Sequence, residues 1–180
     1  MKNQNTKKLA YAALFLALCL VLPMLTGQIP QIGSMLLPMH IPVLLCGLVC
    51  GWQYGAAVGF VAPLLRSVLF GMPPMYPVAI AMAFELLTYG LVIGLVYRRL
   101  AQKGLAGVYA VLLTAMVAGR LVWGVAEVVL LGLGGKAFTA QAFLAGALLN
   151  AVPGIIVQLV LIPAVMAALQ KAGAVKHYAE

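Results

Sequence analysis

The sequence predicts an all-α integral membrane protein with six transmembrane helices and both termini in the cytoplasm. Three observations carry that expectation. Of 180 residues, 65% are hydrophobic and only 8% are charged, against about 25% charged in a soluble domain. The apolar residues fall into runs of the length that crosses a bilayer, about 20 residues per helix. The basic residues gather at the ends of those runs, as the charge bias of membrane topology requires. With a mean hydropathy of +1.12, the chain cannot cover a water-facing surface, and its length suits one domain over residues 1–180.

The first span is expected over about residues 9–26. Lys7 and Lys8 precede it, as in a signal peptide. The following TGQIPQIGS offers no small-x-small cleavage site, so the helix is read as retained. A loop over 27–40 contains Gly27, Pro30 and Gly33. The apolar stretch from Ile41 to Phe70 is long for one helix and short for two. Its polar break at Trp52–Gly55 divides it into a short span at about 41–51 and another at about 54–70. Pro73, Pro74 and Pro77 in the GMPPMYP segment cannot continue a helix, so 71–77 is a loop. The fourth span runs over about 78–97. A polar connection with Arg98, Arg99, Lys103 and Gly104 follows. The fifth span covers about 106–133 and ends at Gly134 and Gly135. The sixth covers about 140–169, with Pro153 and Pro163 as kinks.

The positive-inside rule tests this count. With the N-terminus inside, the inner segments hold Lys2, Lys7, Lys8, Arg98, Arg99, Lys103, Lys171 and Lys176, while the outer loops hold Lys136 alone. The net charge of +8 is therefore read as topology, not as a nucleic-acid surface. Cys19, Cys46 and Cys50 lie in apolar runs without a CxxC pair, so they read as packing residues and give no disulfide framework.

Two stripes of small residues stand out. Gly47, Gly51, Gly55 and Gly59 recur at every fourth position, the spacing that lets helix backbones approach closely. They are assigned to packing between the second and third spans. Ala13 and Ala17, with Ala10 and Ala12 nearby, form a second patch that suits either internal packing or another membrane subunit.

Ionisable residues inside spans are costly and face a cavity or one another. The alternating topology places Glu85 about seven residues below the outer end of the fourth span, or roughly 10 Å at 1.5 Å per residue. On the fifth span Glu127 is shallower, Trp123 deeper, and Arg120 deeper still. On the sixth, counted from Ala140, Asn150 falls in the outer half and Gln158 toward the inner half. Arg66 belongs to the same outer layer. Arg120, Trp123 and Glu127 share one face by the i, i+3, i+7 rule. The cluster reads as a small polar pocket floored by Arg120; the plainer alternative is mutual neutralisation of Arg120 by Glu85 or Glu127. His40, at the head of the second span, suits a ligand contact or an interfacial position. Tyr76 and Tyr89 suit a lid and a pocket wall, or simple packing. No nucleotide-binding glycine loop, nucleophile–base pair or metal-ligand cluster is visible, so neither enzyme nor cofactor is expected, and an energy source would have to come from a partner.

At this point the chain resembles the substrate-binding S components of energy-coupling factor (ECF) vitamin transporters over nearly its whole length. The resemblance rests on the six spans and on the basic N-terminus leading into Ala13-x-x-x-Ala17. It also rests on LPMHIPVLLCGLVCGWQYGAAVGFVAPLL, on GMPPMYP before AFELLTYGLVIGLVY, and on NAVPGIIVQLVLIP. It implies a multi-pass protein of the cell membrane that binds one vitamin or precursor near the outer face, in a pocket made by loops one and three and helices four to six. It further implies docking through Ala13 and Ala17 onto a transmembrane coupling subunit, with two cytoplasmic ATPases driving import. By position, the implied pocket residues are Glu85, Tyr89, Arg120, Trp123, Glu127 and Asn150. Arg120 suits a carboxylate, which favours pantothenate, and the HIPV and GMPP segments resemble pantothenate-type members. Niacin, a pyridoxine-like vitamin, riboflavin and a pyrimidine precursor stay open. Two other classes stand beside this one: an autonomous carrier or channel gated by Arg120 and Glu127, and an assembly subunit without transport.

Overall fold

A computed structural model describes residues 2–26, 35–100, 104–146 and 150–173. Every regular element in them is helical. Part of the expected first loop (27–34), part of the polar connection (101–103) and the C-terminal segment with Lys176 lie outside the described residues. Helix α1 covers Lys2–Val21 and passes into a tight turn at Leu22–Thr26. The short α2 covers His40–Cys50, and α3 covers Trp52–Phe70. A wide turn over Met75–Ala79 leads into α4, Ile80–Leu100. The long α5 covers Gly104–Leu133. The short α6 covers Ala140–Leu144, and α7 covers Val152–Lys171.

Among the described residues, five helices are long and apolar enough to cross a membrane: Gln4–Leu25, Trp52–Phe70, Met75–Leu100, Gly104–Leu133 and Val152–Lys171. The expected second span is different. The eleven residues of α2 rise only about 16 Å, roughly half the hydrocarbon core of a bilayer. Yet α2 is the most enclosed helix of the fold, with nine of its eleven residues buried. It lies in the middle of the bundle, against α1, α3 and α4. The long outer helices instead turn apolar stripes outward, as a lipid solvent allows. On α5 that stripe is Leu105, Tyr109, Leu113, Val117, Leu121 and Val125.

Glycine sets the spacing of the inner helices. A Cβ on Gly55 would meet the backbone of Gly47 and of Gly90; one on Gly59 would meet the backbone of Leu86. The regular stripe thus packs α2 and α3 together, as expected, and packs both onto α4, which spacing alone did not specify. Gly51 does a different job. It sits between α2 and α3 at φ 97°, a conformation closed to most side chains, and lets the chain reverse there.

The expected sixth span is divided. The helical turn from Ala140 ends, and α7 starts afresh at Val152 with Pro153 in its first turn, where a proline's missing N–H costs nothing. Pro163 lies inside α7. All three cysteines are free and buried.

Candidate functional site

A polar cluster is enclosed where α2, α4 and α5 meet. His40 is the first residue of α2. Its N–H reaches back to the carbonyl of Leu37 at 3.0 Å, and Leu37 takes the left-handed φ of 51°, uncommon for a leucine. This turn points the imidazole inward, at 1% exposure. Glu85 and Tyr89 are one turn apart on α4, so they share a face, and both are buried. Arg120 comes from the middle of α5. Beside it Gly119 has no side chain, and the Tyr89 ring fills the space a Cβ would need.

Glu85 is the centre of the cluster. Its Oε1 lies 3.0 Å from Nη1 of Arg120 and 3.4 Å from Nε2 of His40. The Tyr89 ring meets His40 edge-on at 5.3 Å. A carboxylate removed from water needs this many partners, because an isolated buried charge is very costly. Arg120 is less well served. Its Nε and Nη2 are buried without a hydrogen-bond partner among the described residues, as are both ring nitrogens of His40 and Oε1 of Glu85, of which Nε2 and Oε1 are held by the ion-pair contacts alone. Nε and Nη2 form one edge of the guanidinium, two parallel donors that match a carboxylate. Glu85 occupies the other side and leaves that edge free.

Trp123 lies one turn above Arg120, with its ring centroid 5.9 Å from the guanidinium carbon. It stacks on Phe143 and takes Phe138 edge-on, so it forms a wall between the cluster and the α6 segment. Glu127, another turn on, is 6% exposed. No basic side chain lies within ion-pair distance of it among the described residues. The pairing left open by the sequence is therefore Arg120 with Glu85, not with Glu127.

The remaining candidates lie elsewhere. Tyr76 is exposed, and its hydroxyl donates to the Leu130 carbonyl, tying the segment before α4 to the end of α5. Asn150 is exposed at the turn before α7, where its N–H bonds the Ala145 carbonyl at 2.9 Å; among the described residues no hydrogen bond or ion pair joins it to the cluster. Arg66 is also separate. It donates to the Leu20 carbonyl at the end of α1 and lies against Phe70, which is a structural role. Gln158, assigned to the inner half by counting from Ala140, is the seventh residue of α7 and is 1% exposed. The signal that would have found it is the Asn-Ala-Val-Pro sequence, which restarts the helix and resets the depth count. Ala13 and Ala17 are both exposed on α1, whereas Ala12 and Cys19 face inward. An open groove of about 360 Å³ between α5 and the 138–143 segment is lined by Leu121, Val125, Val128 and Phe143 among others, and by none of the charged cluster.

Fold and site together define a multi-pass helical membrane protein with a donor-rich polar site enclosed among its helices. Residues 7–167 match the family described as ECF transporter, substrate-specific component, and the chain belongs to that family. Searches of curated proteins and of solved structures found no match. Membership makes the chain a transporter subunit that binds a small vitamin-type substrate and works with the components of an ECF module.

Proposed function

We propose that the chain captures a vitamin or precursor bearing a carboxylate, pantothenate first among them, from the outer side. It then delivers the ligand inward, powered by two cytoplasmic ATPases through a transmembrane coupling subunit. The observation that carries this reading is the free edge of Arg120, with Nε and Nη2 buried and unpartnered while Glu85 holds Nη1. Orphaned buried donors are unfavourable, and a carboxylate would satisfy both. Trp123 walls the apolar body of the ligand, Glu127 and Tyr89 line the site, and His40 supports Glu85. Tyr76 closes the outer side, and Asn150 reaches the site only if the turn before α7 moves. The exposed Ala13–Ala17 face is the docking surface for the coupling subunit. In this reading α2 is the sixth, short membrane segment, and both termini are cytoplasmic, in line with the distribution of basic residues.

The test is to purify the full chain in detergent, identify any co-purifying small molecule by mass spectrometry, and titrate pantothenate. Binding by the isolated chain is expected, with Arg120→Gln weakening it at least 100-fold. In liposomes, uptake should require the coupling module and ATP. Uptake by the chain alone under an ion gradient would point to an autonomous carrier instead.

A further inference from the structure

Gln158 has no role in the site so far, yet it is 1% exposed and its amide nitrogen has no hydrogen-bond partner among the described residues. Buried amides are almost always paired, so this one calls for an explanation. Its place in the fold follows from register. Gly154, four residues earlier on the same face of α7, lies against the backbone of Met35 and Leu36. His40 is four residues past Leu36. Helices α2 and α7 pack together, both begin within four residues of that contact, and both lead away from it. Past that contact the chain opens α2 at His40, and α7 carries Gln158 one turn beyond Gly154.

Buried nitrogens without a hydrogen-bond partner thus come from three helices of the bundle: Nδ1 of His40 on α2, Nε and Nη2 of Arg120 on α5, and Nε2 of Gln158 on α7. Their arrangement is rich in donors. The charged group facing them is Glu85, already held by Arg120 and His40. A ligand that met Arg120 alone would leave Gln158 unsatisfied.

We propose that Gln158 is a ligand-contacting, specificity-determining residue, whose amide takes a second acceptor group of the molecule whose carboxylate Arg120 holds. The inference rests on the reading of Arg120 given above. It narrows the substrate class to small carboxylic acids that carry a further carbonyl or hydroxyl group, and disfavours vitamins without a carboxylate.

The experiment compares the full-length wild type, Gln158→Met, Gln158→Glu and Arg120→Gln in detergent. Each is titrated with pantothenate and with riboflavin, and the melting temperature of the unliganded protein is recorded. Gln158→Met keeps the length of the side chain and removes the orphaned amide. It should bind pantothenate at least tenfold more weakly and melt no lower than wild type. That combination separates ligand contact from structural support, which would lower the melting temperature. Gln158→Glu keeps the shape, removes the donor and should show an equal or larger loss; it decides the matter if the Met variant fails to fold. Affinity within twofold of wild type in the Gln158 variants, beside a large loss in Arg120→Gln, overturns the role of Gln158 and leaves the carboxylate site standing. Unchanged affinity in all variants, or binding of riboflavin in place of pantothenate, overturns both.

Discussion

Helix α4 has two kinds of neighbour. Toward α2 and α3 it presents Gly90, Gly94 and the backbone at Leu86, and the contact is backbone on backbone. Toward α5 it presents Glu85 and Tyr89, and the contact is an ion pair with donors left over. The first interface is filled with nothing to spare. In the second, buried groups still lack partners. The difference teaches where each half of the bundle derives its specificity: the first from shape, the second from paired buried charge.

Breaking the second interface should have the larger effect. Glu85→Ala leaves the Arg120 guanidinium buried without its counter-charge, at a cost of about 3–5 kcal/mol, read as a large fall in melting temperature in detergent. The double variant Glu85→Leu/Arg120→Met should recover much of that loss, because an apolar pair of similar volume often replaces a buried ion pair at little cost. It should remain unable to bind the ligand. Failure of the double variant to recover would mean that His40 and Tyr89 also depend on Glu85 for their positions.

Breaking the first interface comes next. Gly90→Leu places a side chain on the backbone of Gly55 and should destabilise by about 1–3 kcal/mol or more by overpacking, seen as lower yield and a lower melting temperature. A melting temperature like the wild type's would show that α3 can move away from α4.

The smallest effect on stability should come from the other small-residue stripe. Ala13→Trp and Ala17→Trp alter an exposed face of α1 and should change stability by no more than about 0.5 kcal/mol. They should instead abolish co-purification with the coupling subunit. Intact assembly would remove that face from the docking surface.

Much of the site was legible because charge in a membrane is rare. Glu85, Arg120, Trp123 and Glu127 stood out against an apolar background, and helix periodicity put the last three on one face. The spacing of Gly47, Gly55 and Gly59 likewise announced a close contact but did not identify α4 as the main partner. The depths of Asn150 and Gln158 rested on one assumption. Depth was counted along an unbroken helix from Ala140, whereas α7 starts at Val152. That later start puts Asn150 in the turn before α7 and Gln158 in the second turn of α7.

Composition alone determined the class of this protein, because a chain so poor in charge has no stable water-facing surface. Apolar run length and basic flanks set most of the helices, since both are local consequences of bilayer thickness and potential. Pairing was decided only in three dimensions. Whether Arg120 met Glu85 or Glu127, and whether a stripe of small residues faced inward or outward, depended on helix rotation and relative depth. Those are fixed by contacts between segments far apart in the chain, such as Gly55 with Gly90 and Gly119 with Tyr89, which no local pattern encodes.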